Sequence, residues 1–175
     1  FEETSGTQVL DVSGNGNHGT LSNVTRSTQG KFGGALSFNG TNSLVTVPDS
    51  ASLDLTQGLT LSAWAYPTTW ASSWQNVLLK ERSGGLVYAL NASSDAGQPN
   101  TTLRIAGADR PLSASRRLWA NTWSHLATTY VGRPSGSSST APRSPGKHRA
   151  GPWRSLPTPC GSAAIRCGRD SPSKD

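Results

Sequence analysis

Residues 1–131 alternate between short strand-forming runs and clusters of Gly, Asn, Ser and Pro, and no long stretch has a helical period. In the most regular run, 59–66, Leu and Ala occupy the odd positions while Thr, Ser, Trp and Tyr occupy the even ones. Such a strand suits the middle of a sheet, with one side on a core. The sequence therefore predicts an all-β fold, a two-sheet antiparallel β-sandwich of the jelly-roll type. Seven strands are expected, at 35–39, 43–47, 59–66, 76–80, 86–91, 102–106 and 123–131, with a turn at 40–42.

The composition changes abruptly after residue 131. Basic and acidic residues balance in 1–131, so the net charge of +6 arises entirely from 132–175. Both cysteines, Cys160 and Cys167, also lie there, so they provide no disulfide or zinc site for the domain. We therefore expect two regions, a domain at 1–131 and a disordered or non-native, irregular tail at 132–175. The basic charge does not make the domain a nucleic-acid binder.

The chain begins at Phe1 and contains no methionine, so we expect it to be a piece of a longer protein. It contains no apolar run of about 18 residues, which argues against a membrane-spanning helix.

Six segments together carry a family likeness. They are FEETSG at 1–6, DVSGNGNHG at 11–19, GKFGGALSFNG at 30–40, VTVP at 45–48, LTLSAW at 59–64 and WSHLA at 123–127. In this order they resemble the laminin-G-like domains, of the concanavalin A-like lectin/glucanase class, of bacterial extracellular proteins. The resemblance implies a jelly roll, and it implies an incomplete one, because the family's later motifs are missing after Val131.

A one-base shift of the reading frame restores two of those motifs. If the first two bases of each written codon are the last two of the true codon, the residues from Ser135 onward permit LRLFVNGTQVAG. The same shift over 152–167 permits SLAVSANALRIGGNSV, which contains the Arg-Ile-Gly-Gly of the family. We therefore expect a frameshift after about residue 131; the alternative is a genuine Ser, Pro and Arg-rich linker. A jelly roll without its last strands should be poorly stable, because edges and an inner face stay uncovered.

The loop DVSGNGN is the richest group of oxygen ligands in the chain. Asp11, Asn15 and Asn17 could contribute to a Ca²⁺ site, which takes six to eight oxygens at about 2.3–2.6 Å. The resemblance supports this, since related modules often bind calcium at the rim of the sandwich. The alternative is a turn that closes on itself through side-chain hydrogen bonds.

Trp70 and Trp74 stand on a predicted loop among small polar residues, where exposed indoles could stack on sugar rings. The alternative is that they pack back onto the sheet. We expect Trp64, Trp119 and Trp123, which lie on or beside strands, to belong to the core. His125 is expected to be structural, and His18 to be a solvated loop residue.

No pair of carboxylates stands on a predicted strand, although sandwich glycosidases need two. We therefore expect a non-catalytic carbohydrate-binding or adhesion module of a larger secreted or cell-surface protein, stabilised by calcium and with no nucleic-acid partner. The alternatives are a structural spacer without a ligand and an accessory domain of a glycoside hydrolase. Carbohydrate binding at this stage is an inference from the fold.

Overall fold

A computed structural model describes residues 1–69, 73–132 and the backbone of 163–166. These residues form twelve strands and one short 3₁₀ turn, Ala51–Leu53. The strands are β1 Gln8–Val9, β2 Gly19–Ser22, β3 Thr25–Ser27, β4 Ala35–Ser37, β5 Leu44–Val47, β6 Gly58–Ala65, β7 Gln75–Arg82, β8 Gly85–Ser93, β9 Asn100–Ile105, β10 Ala108–Ser113, β11 Ser124–Val131 and β12 Ala163–Arg166. In the part of the chain so described, no helix has the length and apolar character needed to cross a membrane.

The strands are arranged in two sheets and a ribbon. The large sheet has the order β1-β2-β5-β12-β7-β8-β9-β10, the small sheet pairs β11 with β6, and β3 and β4 form the ribbon. All pairings are antiparallel. This arrangement confirms the expected all-β, incomplete sandwich.

The core lies between the inner faces of the two sheets. The small sheet contributes Leu59 and Leu61 of β6 and Leu126 and Tyr130 of β11 to one buried cluster. In the strand register, Tyr130 lies opposite Leu59, and Leu126 lies opposite Ala63. The large sheet contributes the other buried members of this cluster: Val77, Tyr88, Leu90, Ala92, Leu103 and Ile105. Each fully buried large apolar side chain contributes about 1.5–3 kcal/mol to folding, so this cluster holds the two sheets together.

The predicted turn after β4 is present. Asn39 accepts hydrogen bonds at its side-chain oxygen from the backbone N–H groups of Thr41, Asn42 and Ser43. Gly40 has φ of 74°, a value that glycine adopts without the steric cost that other residues incur. The turn therefore brings the chain from β4 into β5.

Strand β10 is absent from the predicted set. Its six residues are all exposed and include Arg110 and Pro111, which lower the strand propensity of the segment. Because β10 lies at the edge of the large sheet and pairs only with β9, a proline costs it no ladder hydrogen bond on the free side. The edge position explains why a proline-containing segment forms a strand.

Strand β12 departs from the irregular tail expected after Val131. Its backbone pairs with β5 on one side and with β7 on the other. Neither β5 nor β7 pairs directly with the other, so a strand between them supplies backbone partners that both require. Residues 163–166 of the predicted tail thus form a short strand. The rest of 133–175 lies outside the described residues.

Candidate functional site

The outward side of the small sheet carries aromatic residues. Because Leu59 and Leu61 point into the core, the even-numbered residues of β6 face away from it, and these include Trp64. Tyr66 follows in the same phase. The register of β11 places His125 directly opposite Trp64, and Trp123 comes next in line opposite Tyr66. Alternation along two paired strands thus gathers four rings on one side.

The rings contact one another in pairs. The Trp64 and His125 ring centroids are 5.0 Å apart with an interplanar angle of 38°. Tyr66 and Trp123 are 5.4 Å apart at 55°. The His125 ring also shares a hydrogen bond of 2.8 Å between its Nε2 and the Ser62 hydroxyl. These contacts restrict the orientation of the rings before any ligand arrives.

A glycine-rich loop before β4 adds a fifth ring, that of Phe32, and a cation, Lys31. Phe32 meets the edge of Trp64 with centroids 5.7 Å apart and planes at 80°. The loop closes through a bond of 2.9 Å from Gly30 N–H to the Gly33 carbonyl, and Gly33 has φ of 68°. The Gly34 N–H donates to the Glu2 carboxylate. This bond ties the loop to the N-terminal segment.

We call Phe32, Trp64, Tyr66, Trp123 and His125 together with Lys31 the aromatic face. Phe32 is 72% exposed, Trp64 42% and Tyr66 43%, so large parts of the rings remain open to solvent. Adjacent exposed rings on one side of a sheet form an apolar patch, and such patches mark sites of interaction. Chemically, the face can stack on planar or ring-shaped apolar surfaces while its polar groups donate hydrogen bonds.

The aromatic face corrects one expectation from the sequence. Trp64 and Trp119, expected in the core, are exposed, the latter at 75%, and Trp123 is only half-buried. The inward positions of β6 are already filled by Leu and Ala, which leaves the indole of Trp64 on the outer side. The alternation in 59–66 contained this information, since only one of its two faces could meet the core.

Of the two predicted sugar-binding tryptophans, the structure describes Trp74. Trp74 is half-buried at the start of β7, on the large sheet, and its Nε1–H donates a hydrogen bond of 3.0 Å to Asp95. Trp70 lies outside the described residues. Of the predicted pair, the structure therefore places only Trp74, with its polar edge already bonded.

The predicted calcium loop is closed by its own hydrogen bonds. The Asp11 carboxylate accepts bonds from the Ser13 hydroxyl and from the N–H groups of Ser13 and Asn17. These donors, the Ser13 hydroxyl first, hold the pKa of Asp11 below its ordinary value of 3.8. The Asn15 side chain donates to the Ser13 hydroxyl.

The Asp11 carboxylate oxygens therefore already have donors. The Asn17 side-chain oxygen accepts a bond from Ser50. His18 accepts one from the Asp11 N–H, and so it serves the same turn. In the described part of the chain, no three His, Cys, Asp or Glu residues group as metal ligands. The loop offers one carboxylate, which fits a self-closing turn better than a calcium cage of six to eight oxygens.

Two carboxylates do meet at one buried cation. The Lys80 ammonium, whose side chain is 0% exposed, lies 2.8 Å from Asp49 Oδ1 and 2.5 Å from Asp54 Oδ1. Burial alone would lower the pKa of Lys80, but the hydrogen bonds that its ammonium donates to the two carboxylates outweigh this effect and raise the pKa. These two ion pairs join β7, which carries Lys80, to the segment between β5 and β6, which carries Asp49 and Asp54. Both carboxylates accept from the same ammonium, which gives them a structural role.

A comparison with known families gives one match. The model of the concanavalin A-like lectin/glucanases superfamily, of the laminin-G type, matches residues 39–139, more than half of the chain. The match includes both strands of the small sheet, and it begins after the loop that carries Lys31 and Phe32. Comparisons with curated proteins and with solved structures found no match.

Proposed function

This chain belongs to the concanavalin A-like lectin/glucanases superfamily, and we propose that it is a non-catalytic carbohydrate-binding module that uses its aromatic face. The superfamily supports a module of the carbohydrate-binding type. The single observation that carries the finer proposal is the exposed side of the small sheet, where Trp64 of β6 and Tyr66, directly after β6, expose their rings. Fold alone does not fix a ligand, so the proposal depends on this site.

The physical argument concerns what a sugar ring offers. One side of a pyranose presents C–H groups, which pack on an aromatic ring, and the hydroxyls at the ring edge seek hydrogen-bond partners. Trp64 presents such a ring, and Ser62 and His125 lie beside it as hydrogen-bonding groups. Because the contacts among the rings already orient them, binding orders few additional side chains.

We propose further that the chain acts within a larger secreted or cell-surface protein. The motifs at 11–19 and 30–40, which resemble those of bacterial extracellular domains, support this placement. Within such a protein the module would hold the parent at a polysaccharide, either for adhesion or as the accessory domain of a glycoside hydrolase. The Asp49 and Asp54 carboxylates, which both bind Lys80, support assigning no hydrolytic role to them.

The test is binding of the full chain to a polysaccharide and glycan array, followed by titration of the best ligand. We expect Trp64→Ala to weaken affinity by about 2 kcal/mol, or about 30-fold, as for a residue at the centre of an interface. The matched control is Trp74→Ala, because Trp74 directly precedes β7 of the large sheet and donates to Asp95. That variant should retain the native affinity.

Two results would decide against the proposal. Absence of binding to every glycan would favour the structural spacer. Equal weakening by Trp64→Ala and Trp74→Ala would assign the binding to overall stability, and not to the aromatic face. Circular dichroism of both variants establishes that they are folded before affinities are compared.

A further inference from the structure

Lys31 places a cation at the border of the aromatic face. Its Nζ is 5.3 Å from the centroid of the Trp64 ring and 5.9 Å from that of Phe32. At these distances the negative faces of the rings attract the ammonium, which holds the flexible side chain near them. The ion pairs recorded among the described residues use Arg26, Lys80 and Arg104, and none uses Lys31.

The acidic residues near Lys31 decide whether its charge is already paired. Neither β6 nor β11 contains Asp or Glu, so the strands beneath the aromatic face contribute no carboxylate. The acidic residue that contacts the loop is Glu2, and its carboxylate accepts from the Gly34 N–H. Lys31 is exposed, and its ammonium has three donors. Among residues 1–69 and 73–132, no carboxylate lies within ion-pair distance of it.

We propose that the aromatic face prefers polysaccharides built from acidic sugars. The ring of a uronic acid would stack on Trp64, and its carboxylate, which projects from the edge of that ring, would pair with Lys31. This inference rests on the proposed function, because it assigns the ligand class of the same site. A neutral sugar of the same shape would keep the stacking on Trp64 but would lack the ion pair with Lys31. Neutral sugars should therefore bind more weakly than acidic ones.

The net charge of the whole chain must be separated from this effect. A chain of charge +6 attracts any polyanion, and most of that attraction is screened beyond about 8 Å at physiological salt. A preference that arises at Lys31 depends on that one position. It also depends on the carboxylate itself, and therefore disappears when the carboxylate is esterified.

The experiment measures binding of the full chain to polygalacturonate and alginate, and to the methyl ester and propylene glycol ester of these polymers. Measurements use physiological salt without added calcium, with dextran sulfate as a general polyanion. We expect the free acids to bind about fivefold tighter than their esters, as for an exposed ion pair. Lys31→Met should abolish this preference, and Lys31→Arg should keep it.

Arg110→Met is the matched control, because Arg110 is an exposed cation on the far edge strand β10 and its loss changes the net charge equally. It should leave the preference for free acids intact. Equal effects of Lys31→Met and Arg110→Met, or equal affinity for acids and esters, would overturn the inference while glycan binding stood. Absence of binding to acids, esters and neutral glycans alike would instead overturn the proposed function.

Discussion

The two sheets use polar side chains in different ways. Every buried polar or charged side chain among the described residues lies on or beside the large sheet: Ser43, Lys80, Asn91, Ser93, Ser94, Asn100 and Thr101. The small sheet buries apolar residues, among them Leu61 of β6 and Leu126 of β11, and it exposes its rings. A buried polar group must find its partners within the fold. The polar residues of the large sheet are therefore committed to structure, whereas the rings of the small sheet remain available to a ligand.

The largest effect on stability should come from the buried ammonium of the large sheet. Replacing both Asp49 and Asp54 by Asn would leave Lys80 charged and buried without an opposite charge. We expect the free energy of unfolding to fall by about 3 kcal/mol, as when a buried pair loses one partner. Urea unfolding measures this loss, and the affinity of the folded variant for glycans should not change.

Asp109→Asn is the control for that prediction. It removes the ion pair of Arg104 with Asp109, which lies at the edge of the large sheet and is largely exposed. An exposed pair contributes about 0–1 kcal/mol, so this variant should unfold almost as the native chain does. If both variants lose similar free energy of unfolding, the ion pairs of the buried Lys80 contribute no more than an exposed pair. That result would contradict the structural role assigned to the buried polar groups of the large sheet.

A smaller effect of opposite sign should come from Asn91 in β8. Asn91 is 1% exposed, and its side-chain oxygen has no hydrogen-bond partner among the described residues. Replacing it by Val removes this unsatisfied oxygen and suits a strand. We expect the free energy of unfolding to rise by about 1 kcal/mol, as measured by urea unfolding.

The neighbouring Asn100 provides the matched comparison. Its side chain donates to the Ser113 hydroxyl and accepts from the Thr102 hydroxyl. Asn100→Val should therefore lower stability by about 1 kcal/mol, since satisfied bonds are lost. If Asn91→Val destabilises the chain to the same extent, the Asn91 oxygen has a partner and the large sheet is fully satisfied.

The sequence predicts the fold better than it predicts the site. All seven predicted strands correspond to observed ones, because alternation and turn residues are local signals. The turn at Asn39 is such a case. The neighbours of each strand are not local: β12 lies between β5 and β7, and no property of those segments alone shows it. Pairing order depends on closing the sandwich as a whole.

In the site, too, local features could be predicted from the sequence and contacts between distant segments could not. The positions of Leu59 and Leu61 show which face of β6 packs on the core. That alternation alone predicts that Trp64 lies on the surface and not in the core. The approach of Phe32 and Lys31 to Trp64 could not be read, since the loop reaches that ring from a distant part of the chain. The sequence favours Trp70 and Trp74 because they stand on a predicted loop among small polar residues. A loop position does not show which indole has its N–H already bonded, as that of Trp74 is.

The smallest predicted effect concerns the loop of Asp11, beside the large sheet. The pKa of the Asp11 carboxyl is lower in the folded chain than its ordinary value of 3.8. Such a carboxylate stabilises the fold at pH values above the pKa of the unfolded chain. That contribution disappears as the pH falls through the folded pKa. Melting temperatures measured from neutral to acid pH should therefore show Asp11→Asn below the native chain near neutrality, and the difference should shrink as the pH falls below 3.8.

The same variant tests the proposed calcium. If Asp11, Asn15 and Asn17 bind the cation, Ca²⁺ raises the melting temperature of the native chain and not that of Asp11→Asn, because a ligand stabilises the state that binds it. Asp95→Asn, which alters another exposed loop acid, should keep the response. The hydrogen bonds that already occupy the Asp11 carboxylate favour the other outcome, in which calcium changes neither chain. In that case the loop belongs with the internally satisfied polar groups of the large sheet, and the contrast with the open aromatic face becomes sharper.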